Sequence, residues 1–415
     1  MNVFTQSPWR EAPLLMMLCL GVLILPVSNA LGQVPLYLAS VMWLVQVMQG
    51  KCRGVRSTWI LAGGFMLLIV ISLFTAVHLH MGLQKLNRLL IFPLMGAVTA
   101  ACVGGKAPPK RMGLLCGYLV TGVCLKGIMD LFRFPYHLWK GVRFEDIGDM
   151  SSPQFYLVGL MIWLGLLSAK SFQKTRIFWW ALPIVVAGIL AHQKRGVWLA
   201  VAVTVFLWAV WNRRWKTLVT LIAVAGLSLT LPFVQTRLNR LREVIEPTHG
   251  GRMILWTQVS PRMFEKYPWG MGYNGSTYED FREVLPRKYH LEPRLRHLHN
   301  NFLQIRLEMG WTGVLWWGAW MTVAAYKGFK PAGGGMNAMQ MAVAFGFLGL
   351  FLNGLVEYNF GDSEVMKLYL ILLGMVDVPP LVNSPRFSLA LYGFSPYKPL
   401  QFRQCGTEAS TDQSP

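Results

Sequence analysis

The sequence predicts an all-α polytopic membrane protein of about twelve transmembrane helices with one large, partly helical periplasmic loop. Three observations predict it. Over 415 residues, 54% are hydrophobic and only 14% are charged. Apolar runs recur along the whole chain, each near the roughly 20 residues a bilayer crossing needs. Most charged residues fall in the connections between those runs, with the two signs unevenly placed.

Taken in order, the apolar runs fall near 12–30, 33–50, 58–78, 89–105, 112–130, 153–169, 177–193, 196–211, 218–234, 302–326, 337–356 and 365–383. The first ends on Ser28-Asn29-Ala30, which resembles a signal-peptidase site. It reads as an uncleaved span, and its removal would leave every later loop on the same side. The connections 51–56, 106–111, 170–176, 213–216 and 327–330 carry fourteen Lys/Arg and no acid. Short basic loops stay in the cytoplasm, so both termini are expected inside and the 235–300 loop outside. The chain reads as a single membrane domain, 1–415, containing the loop 235–300 and a polar tail, 384–415.

The net charge of +20 would suit a nucleic acid, but about half of the excess lies in the inner loops. Nucleic-acid binding is therefore excluded and contact with membrane lipids expected. The six cysteines, at 19, 52, 102, 116, 124 and 405, fall within spans or on the inner side, which implies no disulfide framework. No Cys/His grouping has zinc-ligand spacing, so no metal and no cofactor is expected.

The region 235–300 holds eleven Arg/Lys and seven Asp/Glu between apolar spans, and closes on His297-Leu298-His299-Asn300. Apolar residues at helical spacing predict a helix over 251–267, lying at the membrane interface and broken by Pro268-Trp-Gly-Met-Gly272. A second helix is predicted over 277–285. All eight histidines fall on the outer side of this topology.

Four outer groups could carry chemistry: Lys194-Arg195-Gly196; Gly250-Gly251-Arg252; His297, His299 and Asn300 with Arg306; and Arg143 ahead of the sixth span. An arginine offers a permanently charged fork that matches phosphate oxygens. Arginines converging from separate loops would bind a diphosphate without a metal, and Gly251 could add a backbone N–H. His299 and Arg306 are seven residues apart and would share a helix face. On that helix His297 would point elsewhere. His299 could accept a proton near neutral pH, with Glu308, Glu357 and Asp362 as rival bases.

The string His299-Asn300-x9-Gly310-x-x-Gly313 resembles the His-[Asn/Ser/Gln]-x9-Gly-x-x-Gly signature of bacterial O-antigen ligases. Arg195-x3-Leu199 resembles that family's Arg-x3-Leu motif, and Lys194 stands where relatives often carry threonine. The likeness covers most of the chain by layout and about 195–313 by motif. It implies an inner-membrane, metal-independent, inverting glycosyltransferase of the GT-C-like membrane type. Such an enzyme moves an O-antigen glycan from undecaprenyl diphosphate to the lipid A–core of lipopolysaccharide at the periplasmic face. His299, Arg195 and Arg252 would be catalytic; Arg143, Lys194, His297, Asn300, Arg306 and Gly251 would bind substrate. An O-antigen polymerase or an O-linked protein glycosyltransferase would use the same donor. A lipid-linked glycan transporter would instead show repeats and midplane charges.

Overall fold

The computed structural model describes residues 8–50, 57–103, 108–142, 151–168, 176–239, 252–287, 289, 291, 295–330 and 338–378. All twelve predicted apolar segments carry helix there. In chain order these are α1 (Pro8–Ile24), α2 (Asn29–Met48), α3 (Ser57–Ser72), the short α4 (Leu79–Lys85), α5 (Pro93–Val103) and α6 (Pro108–Trp139). Next come α7 (Ser152–Ser168), α8 (Arg176–Ala191), α9 (Arg195–Trp211), α10 (Trp215–Ser228) and α11 (Pro232–Asn239). The loop contributes α12 (Ser260–Lys266) and α13 (Tyr278–Val284), and the bundle resumes with α14 (Asn301–Phe329), α15 (Ala338–Gly354) and α16 (Ser363–Val376).

By length and composition, four helical stretches among the described residues could cross a bilayer: Asn29–Met48, Thr58–Thr75, Leu79–Val103 and Lys110–Trp139. Five more apolar helices of 10–17 residues accompany them. This is a helical membrane protein. Its outer belt is apolar, with Met48, Phe74 and Trp139 more than 80% exposed, a surface that lipid rather than water would cover. The core runs through α7, α15 and α16, whose buried faces carry Tyr156, Phe345, Leu368 and Tyr369. Where α7 meets α15, a Cβ at Gly165 would lie 2.2 Å from that of Ala342, so a small residue there permits the close approach.

Two regions differ from expectation. The fifth span extends as helix to Trp139, well past its expected end at 130, because Leu131, Phe132 and Phe134 keep it apolar. The helix expected over 251–267 forms as Arg252–Ile254, a π turn at Leu255–Val259, and α12. Its apolar face does not lie open at an interface. Ile254, Leu255, Val259 and Met263 are fully buried against Phe281, Leu298 and Leu307, a second small core belonging to the loop itself. The predicted second helix is α13, whose start carries a reciprocal cap between Thr277 and Asp280.

The loop core is fastened to the bundle by a break in α14. Gly310 adopts φ 64°, ψ −163°, a region open essentially to glycine alone. The break leaves carbonyls of the preceding turn without helical partners, and the Pro268–Gly272 turn supplies them. Met271 N–H donates to Leu307 O at 2.8 Å and Gly272 N–H to Glu308 O at 3.0 Å. A Cβ at Gly310 would sit 2.9 Å from the Trp269 backbone. Gly310→Ala is therefore expected to destabilise the purified protein by about 1–3 kcal/mol from backbone strain, with a further penalty from the contact. A thermal melt in detergent measures it; an unchanged melt would show that the turn yields freely.

Candidate functional site

The polar site forms around one carboxylate, Glu357, in the segment between α15 and α16. Arg252 Nη2 donates to Glu357 Oε2 at 2.6 Å, and His299 Nδ1 lies 2.5 Å from Oε1. His297 Nε2 stands 3.8 Å from the same oxygen, and the two imidazoles lie with ring centres 4.3 Å apart, tilted by 53°. Three of these four residues come from the 252–299 loop and one from a segment about sixty positions later.

Local sequence explains each placement. Asn300 caps α14, its Oδ1 accepting from Leu303 N–H at 3.1 Å while its Nδ2 donates to Leu355 O at 2.7 Å. Asn301 Nδ2 donates to Asn359 Oδ1 at 2.8 Å, and Asn301 Oδ1 accepts from Phe360 N–H at 3.2 Å. These two asparagines stitch the 355–360 segment onto the start of α14, which carries Glu357 to the histidines. Leu298 is pinned through both backbone groups: its N–H donates to Gln304 Oε1 at 2.9 Å, and its carbonyl accepts from Trp256 Nε1 at 2.7 Å.

Here the geometry corrects the expectation of a shared helical face for His299 and Arg306. The helix begins only at Asn301, so His297 and His299 lie before it. The chain before it is irregular and bends at both histidines, so helical spacing does not apply there. Leu298 enters the loop core while both histidines meet Glu357. His299 has φ 49°, uncommon for a side chain larger than glycine. Arg306 lies elsewhere, its guanidinium 3.9 Å from the Phe264 ring centre and 4.3 Å from that of Trp311.

Lys194 caps α9, and Arg195 is the first helical residue. Their turn abuts the site. A Cβ at Gly196 would lie 2.7 Å from Val356 Cγ2 and 3.9 Å from Arg252 Nη1, so a small residue here lets the turn close on Arg252. The turn is held from behind by a buried carboxylate, Asp130. That group accepts from Lys126 Nζ at 2.8 Å and Tyr156 O–H at 2.8 Å, and lies 2.9 Å from His192 Nε2. Arg143 and Gly251 lie outside the described residues.

Burial alone would push the Glu357 carboxyl up. Hydrogen bonds from His297 and His299, and the charge of Arg252, hold it well below the usual carboxylate range. His299 is pushed down from 6.5, chiefly by burial, against the raising influence of Glu357. The pair therefore rests as an ionised carboxylate beside a neutral imidazole. With Nδ1–H donating to Glu357, the other ring nitrogen, Nε2, is the acceptor. The Lys194–Arg195 turn closes beside Arg252, so basic residues from two parts of the chain meet at this carboxylate.

The rival carboxylates separate by position. Glu308 is buried beneath the site, accepting from Gln304 Nε2 at 2.9 Å and Tyr358 O–H at 3.3 Å. Burial, followed by the charges of Glu364 and Glu357, raises Asp362 to about 6. Among the described residues His297, His299 and Glu357 also form a possible metal-donor group, their ligand atoms within 4.8 Å of one another. Two ligands of one tetrahedral zinc would stand about 3.3 Å apart, whereas His299 and Glu357 approach to 2.5 Å, a hydrogen-bond separation.

Sequence reasoning placed Arg195, Arg252, His297 and His299 at one site, and the structure brings Arg252 and both histidines onto Glu357 with the Arg195 turn alongside. It ranked Glu357 only among rival bases. It passed over Gln304 and Tyr358 altogether, whose one available signal was position, one helical turn from Glu308 and next to Glu357. No curated protein matches the chain. Residues 178–318, which supply the α9 turn, Arg252 and both histidines, match the family profile described as O-antigen ligase, and this match supports the O-antigen ligase/polymerase likeness read from the motifs.

Proposed function

We propose that this chain transfers an O-antigen glycan from undecaprenyl diphosphate to the lipid A–core of lipopolysaccharide at the periplasmic face of the inner membrane, inverting the anomeric centre without a metal. The observation that carries the reading is the Glu357–His299 pair, 2.5 Å apart, with Arg252 on the other carboxylate oxygen. A base oriented by a carboxylate beside clustered cations is what attack by a hydroxyl on a glycosyl diphosphate requires. Glu357 holds His299 with Nε2 open to a proton. As the acceptor oxygen bonds to the anomeric carbon, its proton passes to Nε2 and the bond from that carbon to the diphosphate oxygen breaks. Arg195 and Arg252 take up the charge on the departing diphosphate, in a partly dry site where such contacts strengthen.

Four outcomes test this. His299→Ala should lower transfer by roughly two to four orders of magnitude while lipid-linked donor still binds. Glu357→Gln should act in the same direction, because the amide cannot hold the ionised partner's place. Since burial lowers His299, its proton-accepting form is present above a value below 6.5. The kcat/KM of wild type should rise with pH through an inflection below about 6.5 and then stay level. A flat profile, or arrest by chelator, would overturn this assignment of the base.

The arginines should depend on fork geometry as well as charge. Arg195→Ala and Arg252→Ala should each abolish most transfer, and Arg→Lys at either position should restore it only in part. Full activity of both lysine variants would show that they do not recognise a diphosphate. A deletion strain distinguishes ligase from polymerase: loss of all O-antigen with lipid-linked polymer accumulating indicates ligation, whereas core bearing one repeat indicates polymerisation.

Orientation is testable with single cysteines in a cysteine-free background. Glu283, whose side chain is 65% exposed, should label as Glu283→Cys in intact cells with an impermeant thiol reagent. Lys216→Cys, exposed in the first turn of α10, should label only after permeabilisation. Labelling of Lys216→Cys in intact cells would reverse the topology.

A further inference from the structure

We propose that a second basic cavity, beside the Glu357 site but separate from it, binds a phosphoryl group carried by one of the two substrates. The cavity has a volume of about 190 Å³ and is lined by Lys85, Arg88 and Lys367 with the amides of Gln33, Gln84 and Asn87. A water occupies roughly 30 Å³, so a phosphoryl group fits with solvent around it. No carboxylate lines the cavity. It forms where the connection entering α2, the α4 region and the start of α16 meet. These are tied by Asn29 Nδ2 donating to Ser363 Oγ at 3.2 Å, and by Arg88 donating to the Gly361 carbonyl.

The charge on Lys367 makes the case. Its side chain is 2% exposed, among the largest fully buried ones in the protein. Among the described residues its ammonium donates to neutral amide oxygens, Asn29 Oδ1 at 2.6 Å and Gln33 Oε1 at 3.5 Å. Glu364, one turn back on α16, acts on it through space without forming an ion pair. Lys85 has no bonded partner among the described residues. Arg88 satisfies a carbonyl and leaves most of its five donors for other use. Burying a cation without an anion is costly, and three cations around one space with no acid are complementary to a multiply charged anion. A phosphoryl group, with three oxygens and up to two charges, matches one fork and two ammonium groups better than a single carboxylate does.

Position links this cavity to the reaction. Gly361 and Ser363 follow Glu357 by four and six residues, and Asp362 between them feels both Glu357 and Arg88. The segment 357–363 thus has the histidine site on one side and the basic cavity on the other. Only the identity of the carrier rests on the function proposed above; the anion site itself stands on its own geometry.

The test titrates inorganic phosphate into the full chain in a phosphate-free, non-ionic detergent, read by phosphorus NMR. Arg195→Gln/Arg252→Gln serves as the background that removes the first cluster. Saturable binding should persist there and weaken at least tenfold on adding Lys85→Gln or Arg88→Gln. Lys85→Gln has no bond to lose, so its melting temperature should match its parent and a folding defect is separable from a binding one. No saturable binding, or binding unmoved by either substitution, overturns the site. Kinetics on Lys85→Gln in the otherwise native chain then identify the source. A raised KM for phosphorylated acceptor, absent for dephosphorylated acceptor, assigns it to the core; a raised KM for donor assigns it to the lipid diphosphate. Unchanged KM for both overturns the substrate assignment. Absence of glycosyl transfer in wild type would sink the proposed function while leaving the phosphate titration interpretable.

Discussion

Everything at the polar end of this protein is organised by the need to keep one mostly buried carboxylate ionised. Glu357 is stable as an anion only because Arg252 occupies one oxygen and the histidine strap the other. The contacts come from the two ends of the 252–299 loop, so the carboxylate acts as the pin through which that loop is attached to the α15–α16 connection. Removing any partner leaves the others with uncompensated charge or an open donor, and buried polar networks fail in that all-or-none way. The site is thus part of how the loop folds onto the bundle.

A second constraint works with it. The kink at Gly310 opens carbonyls that the glycine-rich Pro268–Gly272 turn must fill, and this fixes the height of the loop core above α14. The two glycines of the motif, Gly310 and Gly313, are accounted for by backbone geometry and close packing on Ile305 and Met309. The histidine half of the same motif is accounted for by Glu357. One short sequence string therefore encodes two separate requirements: a break that docks the loop, and a strap that presents imidazoles.

What was legible in the sequence follows from which interactions are local. Apolar runs and the Pro/Gly break after Tyr267 act within a few residues, and most helices sit where those signals put them. The arginines and histidines were legible because few other reasons exist for such residues to cluster between apolar spans. The role of Glu357 was not, because it depends on Asn300 and Asn301 reaching residues 355–360, a pairing no local pattern announces. The orientation of His297 was misjudged for a related reason. Helical periodicity does not extend back through Asn300, because the Asn300 cap starts the helix at Asn301 and leaves both histidines in irregular chain.

The distribution of buried charge differs between the two ends of the bundle. At the end away from Glu357, Asp377 is matched by Lys327 at 2.5 Å and by Thr58, an arrangement that neutralises and fastens helix ends. At the polar end Asp130 is matched by Lys126 and held by Tyr156 and His192, while the Lys85–Arg88–Lys367 cavity has no carboxylate in its lining. Evenly paired charges cost little to leave alone; an excess of one sign in a poorly hydrated space is stabilised by a ligand of the other sign. Within the Glu357–His299 pair the roles divide in the same electrostatic terms: its partners hold Glu357 ionised and weakly basic, while burial keeps His299 neutral with Nε2 as its acceptor.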